Sequence, residues 1–228
     1  KYPQAAFPYA DLIDENGRRD QQSPEYELLD TGIFEGSRYY DVVVEYAKAS
    51  PEDILIKISV TNRDTQTHTL KLLPTLWFRN TWAWDASAEK PQLALDTVKD
   101  NYAVVQADHP TLGRRSLYCN NGSNNSNSET STPELLFTEN DTNSQRLFNV
   151  PNPSPYVKDG INSYVVEGCK DAVNPQQRGT KMSACYACTL QGGETQVITL
   201  RLSDQTQAAD PFDDTFAHLF QQRRHEAD

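Results

Sequence analysis

At 228 residues and a formal charge of −11, the chain makes one large domain or two small ones, and its charge excludes a nucleic-acid backbone or an anionic membrane as partner. Hydrophobic residues make up only 37%, yet 11 Tyr, 8 Phe and 3 Trp exclude a disordered chain, so the composition describes a globular body with long polar loops. No stretch reaches the ~20 apolar residues of a membrane-spanning helix, and the first residues lack the pattern of a signal peptide.

The chain opens on Lys1-Tyr2-Pro3-Gln4, which reads as the interior of a longer sequence. Tyr40, Val42, Val44 and Tyr46 then alternate with Asp41 and Glu45, the period-two signature of a strand with one buried face. Ile54, Ile56, Ile58 and Val60 repeat it, and the short Ser50-Pro51-Glu52-Asp53 connection makes the two strands antiparallel neighbours. Leu70, Leu72, Leu76 and Phe78 predict a third strand, with Pro74 imposing an edge or a bulge because it cannot donate to a ladder. Further strands are expected over Gln92–Val98, Tyr102–Ala107, Leu112–Cys119, Leu135–Thr138 and Ser163–Glu167. A final hairpin joins Lys181–Leu190 to Thr195–Leu202 through Gln191-Gly192-Gly193-Glu194. Asn120–Thr132 is low in complexity, and a mobile surface loop is expected there. A helix starts at Pro211-Phe212-Asp213-Asp214, with Asp at the capping positions and Phe212, Phe216, Leu219 and Phe220 forming an apolar stripe. It runs out at Asp228 with no Gly or Pro stop signal, as a linker helix leading to another domain would. The pattern is all-β: an antiparallel sandwich over residues 1–210, then a short C-terminal helix over 211–228.

The cysteines are Cys119, Cys169, Cys185 and Cys188, and Cys185-Tyr186-Ala187-Cys188 has the spacing of a redox or zinc motif. Inside a strand, however, positions three apart point to opposite faces. Cys188 then joins Met182, Ala184, Tyr186 and Leu190 on the core side while Cys185 faces away, so neither a disulfide nor a metal is expected. Unbridged cysteines suit a reducing, cytoplasmic compartment. His68, His109, His218 and His225 are scattered over predicted loops and the terminal helix, and no nucleophile elbow, zinc-binding helix or phosphate-binding glycine loop occurs. No catalytic residue and no cofactor is therefore assigned. Glu139-Asn140-Asp141-Thr142-Asn143 is dense in the oxygen ligands that Ca²⁺ takes, but it lacks the spacing and turn glycine of an EF-hand, so turn capping is its expected role.

Leu76-Trp77-Phe78-Arg79-Asn80-Thr81-Trp82-Ala83-Trp84 carries every tryptophan of the chain. Arg79, Asn80, Trp82 and Trp84 fall at a strand end or in the loop after it. Aromatic planes beside Arg and Asn suit a sugar ring, whose C–H faces stack while its hydroxyls meet planar donors. The competing reading is a tryptophan-rich core or a domain interface.

Tyr26-Glu27-Leu28-Leu29-Asp30-Thr31-Gly32, Tyr39-Tyr40-Asp41-Val42, Leu73-Pro74-Thr75-Leu76-Trp77-Phe78-Arg79-Asn80 and Phe137-Thr138-Glu139-Asn140 resemble the amino-terminal part of bacterial proteins of glycoside hydrolase family 63. Tyr156-Val157-Lys158-Asp159, Ala172-Val173-Asn174-Pro175 and Gly179-Thr180-Lys181 continue the likeness along the rest of the chain. The resemblance implies a super-β-sandwich that precedes an (α/α)6 barrel and is joined to it by a linker beginning with a helix. Family members invert α-glucosidic bonds, using two carboxylates about 6.5–9.5 Å apart that belong to the barrel. No residue here matches those catalytic motifs.

Three readings follow. The first is a non-catalytic sandwich that packs on the catalytic barrel of an α-glucosidase-like protein, with Phe212, Phe216, Leu219 and Phe220 at that contact, and edges its α-glucoside or oligosaccharide cleft. The second is a stand-alone carbohydrate-binding module working through Trp82 and Trp84. The third is a mutarotase-like epimerase, which needs His and Glu on a concave sheet and finds no histidine on a firmly predicted strand.

Overall fold

The structure, a computed structural model, describes residues 1–85, 87–121, 132–204 and 210–227. The low-complexity stretch expected to form a mobile loop lies, apart from its ends, outside the described residues. In chain order the strands are β1 (Tyr2–Pro3), β2 (Tyr39–Ser50), β3 (Asp53–Asn62), β4 (His68–Leu72), β5 (Thr75–Trp77) and β6 (Gln92–Val98). They continue as β7 (Tyr102–His109), β8 (Gly113–Asn120), β9 (Glu134–Thr138), β10 (Arg178–Gly179), β11 (Lys181–Leu190) and β12 (Thr195–Ser203). The helices are α1 (Tyr9–Arg18), α2 (Ser144–Phe148), α3 (Gly160–Asn162) and α4 (Asp214–Ala227).

One sheet has the order β1-β2-β3-β12-β8-β7-β6-β10, and the other is built on β11, which pairs with β4, β5 and β9. The fold is thus an all-β antiparallel super-sandwich with a C-terminal helix. Pro74 separates β4 from β5, and its carbonyl accepts the Ala184 amide at 3.0 Å, so the ladder is interrupted where the missing N–H requires it. Gly113 has φ 72° at the end of the turn joining β7 to β8, a conformation a side chain would resist. There His109 Nδ1 accepts the amides of Thr111 and Leu112, each at 3.2 Å.

Several expectations change. Ser163–Glu167 is not a strand but a π turn continuing α3, because Ile161 and Tyr164 recur at helical spacing and are buried with Leu136 and Cys185. Gly168, at φ 75°, ends it. Helix α1 was not foreseen. His68 and His109 do lie on strands, at the start of β4 and the end of β7. On β2 the buried residues are Tyr40 and Ala47, whereas Val44 and Tyr46 are exposed. On β3 they include Leu55, Ile58 and Val60. In both strands the parity of the buried face changes partway, so a single uninterrupted alternation was too simple. Cys185 and Cys188 are both buried, because the face of β11 that carries Cys185 is covered as well. None of the four cysteines is in a disulfide.

The chain divides into two compact units, the first comprising Lys1–Val44, Ile58–Leu70 and Cys188–Val197. The Asn62 side chain, fully buried, organises that unit: its amide donates to the carbonyls of Gln66 (2.8 Å), Leu190 (3.1 Å) and Gln191 (3.2 Å). Its Oδ1 accepts from Gln4 Nε2 at 2.8 Å and from the Asp64 amide at 3.0 Å. A buried amide with its hydrogen-bonding capacity filled in this way fixes its neighbours in one arrangement.

The second unit comprises Glu45–Lys57, Lys71–Ala187 and Ile198–Asp228. Here α4 lies on β2 and β3: Phe216 and Phe220 are buried with Ala47 and Leu55, and Phe212, Leu219 and Ala49 pack around them. The helical stripe expected to meet another domain is therefore covered by strands of its own chain, and α4 belongs to the second unit instead of standing apart from it. Arg223 Nε donates to the Lys48 carbonyl at 2.9 Å, and Arg224 pairs with Glu45. Arg201 grips the Asp53 carboxylate with two hydrogen bonds of 2.6 and 2.9 Å, a bidentate pair of the strong kind.

Candidate functional site

The tryptophan-rich segment leaves β5 at Trp77 and turns over residues 78–85. Asn80 sets the turn: its Oδ1 accepts the Ala83 amide at 3.1 Å, while its Nδ2 donates to Asp141 Oδ1 at 2.6 Å and to the Asn140 carbonyl at 3.2 Å. Trp82, half-buried, donates its indole N–H to the same Asp141 oxygen at 3.1 Å. From the other side Asn140 Nδ2 donates to the Phe78 carbonyl at 2.8 Å. Two loops some sixty residues apart in sequence are thereby latched together.

Lys90 closes the latch. Its ammonium lies 2.9 Å from Glu139 and 3.7 Å from Asp141, and 5.5 Å from the centre of the Trp82 ring. Glu139 also accepts from the buried Thr180 hydroxyl at 2.7 Å, and that hydroxyl accepts the Asn140 amide at 2.7 Å. Both carboxylates are thus occupied by fixed donors, and their work is to hold the loop. Asn143, at the end of the same tract, caps α2 by accepting the Arg146 amide. Turn capping, the role expected for this tract, is thus what Asn143 does, whereas Glu139, Asn140 and Asp141 join distant segments. Among the described residues, no three His, Cys, Asp or Glu side chains gather closely enough to hold a metal ion.

Of the four residues singled out in the sequence, Asn80 and Trp82 meet at Asp141, whereas Arg79 and Trp84 pair with each other. The Arg79 guanidinium lies 5.1 Å from the Trp84 ring centre, within cation–π range. Trp84 is 71% exposed and Trp77 54%, so two of the three indoles face solvent. The pinned Trp82 and open Trp84 form an aromatic rim with cationic partners.

Beside the latch opens a cleft of about 530 Å³, lined among others by Lys90, Gln92, Glu139, Tyr156, Arg178 and Thr180. That volume falls within the ~300–1,000 Å³ typical of small-molecule sites. Gly179 in its wall is required: a Cβ there would come within 2.2 Å of the Thr138 carbonyl oxygen. Sequence reasoning missed Lys90, Asp141, Tyr156 and Arg178 as members of one site. The only signal was the density of polar residues at 139–143, and nothing in it pointed to the tryptophans.

The fold and this site describe a β-sandwich with a latched aromatic loop beside a polar cleft. No family model matches the chain. It is 35% identical over 208 residues to an uncharacterized protein of Saccharomyces cerevisiae, a match that covers 82% of this chain and 19% of the yeast protein. The chain thus spans about a fifth of the length of the relative it matches. Among the described residues, no helix is long and apolar enough to cross a membrane.

Proposed function

We propose that this chain is a non-catalytic sandwich of an α-glucosidase-like glycoside hydrolase, packing on a catalytic barrel and lending its aromatic rim to the edge of the substrate cleft. The observation that carries the reading is the rim itself. Trp84 stands open to solvent with the Arg79 guanidinium 5.1 Å from its ring centre, and Trp82 is held by Asp141 and Lys90. Exposed indoles flanked by cations and amides are costly to leave bare and suit a surface that meets sugar or another domain. Glu139 and Asp141 are engaged in latching and His109 is bonded within its turn, which supports a role other than acid–base chemistry for these three. The yeast relative is about five times longer than the matched stretch, which leaves room for further domains.

The test is to express the 228-residue chain and the longer protein that contains it, and to measure glucose release from α-linked disaccharides. The longer protein should turn over and the chain alone should not. Trp84→Ala in the longer protein should raise KM or weaken contact between the domains. Turnover by the chain alone that survives repurification, or a well-folded longer protein without glucosidase activity, would refute the assignment.

A further inference from the structure

The cleft beside the latch has a neighbour. A second depression of about 280 Å³, lined by residues that include Glu89, Asp108 and Arg114, shares Lys90 and Gln92 with it, so the two adjoin at those side chains. A ligand crossing Lys90 and Gln92 would occupy both, a span beyond a single sugar or a single amino acid.

The charge of the two depressions is balanced. Lys90, Arg114 and Arg178 contribute three cations, and Glu89, Asp108 and Glu139 three anions. Four of these six neutralise one another in place, Lys90 with Glu139 at 2.9 Å and Arg114 with Asp108 at 2.8 Å. On a protein of net charge −11, such a groove neither gathers anions nor selects cations. The walls interleave the Tyr156 ring and the rings of Pro91 and Pro175 with polar side chains. Among the described residues, the side chains of Gln92, Gln176 and Arg178 make no hydrogen bond or ion pair with any other, so their donors and acceptors are open to a ligand. A ligand that matches this surface is long, uncharged, rich in hydroxyls and faced with C–H groups.

The geometry points to an oligosaccharide-binding groove on this domain, holding a neutral glycan chain across the junction at Lys90 and Gln92. An extended peptide fits less well, because its backbone asks for a strand edge and the edge strand here, β10, is two residues long. The binding is a property of this domain and does not rest on the glycosidase reading.

The test is calorimetric titration of the 228-residue chain with glucose, maltose, maltohexaose and cellohexaose. In at least one linkage series, affinity should rise by about tenfold or more from disaccharide to hexasaccharide, as the second depression becomes occupied. Binding should be unchanged in about 0.5 M NaCl, where exposed charges are screened. Gln92→Ala, a change at an exposed side chain, should lower hexasaccharide affinity by about tenfold while leaving the melting temperature in place. Tyr156→Ala should do the same, and Trp84→Ala should not. Equal affinity at all lengths, loss of binding in salt, indifference to Gln92→Ala, or binding of an uncharged extended peptide instead of either hexasaccharide would overturn the groove. A longer protein without glucosidase activity would overturn the earlier reading and leave these titrations as they are.

Discussion

Replacing Phe220 by Ala tests whether α4 is an integral part of the sandwich. Phe220 is buried with Phe216, Ala47 and Leu55, its ring centre lies 5.4 Å from that of Phe216, and Lys57 Nζ sits 5.0 Å above it. Phe→Ala changes in cores cost about 3–5 kcal/mol. The lower end applies because a terminal helix can settle into the gap, and the cation–π contact contributes about 0.5–1 kcal/mol of the loss. About 3 kcal/mol corresponds to a fall in melting temperature of about 6–12 °C for a chain of this size. Leu55→Ala, on the sheet side of the same contact, should cost about 2–5 kcal/mol. The double substitution should cost less than the sum, since each removes the other's neighbour. Urea denaturation followed by far-ultraviolet circular dichroism measures all three. A loss below about 1 kcal/mol for Phe220→Ala, with strictly additive effects, would show that the helix is merely resting on the sheet.

Gly179→Ala should prevent folding or lower the melting temperature by more than about 6 °C, because its Cβ would lie 2.2 Å from backbone oxygen; Gly17→Ala, which meets nothing within 4 Å on α1, should stabilise slightly, and parallel thermal melts compare them. The hydrogen bond from Lys57, and then that from Arg224, hold the Glu45 carboxyl below the usual carboxylate range. Its contribution is therefore present above the ordinary glutamate value and is lost as pH falls through the folded one, so melting temperatures of the parent and Glu45→Gln should differ at neutral pH and converge below about pH 4. Burial pushes the Cys119 thiol up to about 12, and Cys185 and Cys188 are buried as well, so a thiol reagent at pH 8 should label Cys169 alone in the native protein and all four after unfolding. Rapid native labelling of a second cysteine would contradict the packing around β11.

Strands such as β6 and β11 were legible to the residue because turn signals bound them. The faces of β2 and β3 were not. Val42-Val43-Val44 and Ile54-Leu55-Ile56 are apolar at successive positions, so nothing local says where the buried side changes over. The helical stripe of α4 was also evident, but a stripe does not name its partner, and the sheet that covers it lies more than 150 residues earlier in the chain. For the site, the aromatic loop could be read from composition. Its latch could not, because Asn80 and Trp82 reach Asp141 across about sixty residues, and Gln92, Tyr156 and Arg178 are unremarkable residues until the fold brings them to one cleft.

The buried Asn62 side chain has a consequence for biosynthesis. Its carbonyl partners at Leu190 and Gln191 are made long after it, and Lys71–Ala187 must pass through the ribosome in between. At about 5–20 residues per second, those roughly 120 residues take about 6–24 s. Throughout that interval the nascent Lys1–Leu70 segment carries a polar amide with Gln66 but not Leu190 or Gln191 as acceptor, and strand residues such as Val60 without the hairpin of β11 and β12 to complete their unit. A segment left incomplete for that long is exposed to aggregation, and a faster or slower stretch of codons between residues 70 and 188 should change the yield of folded protein without altering a single amino acid.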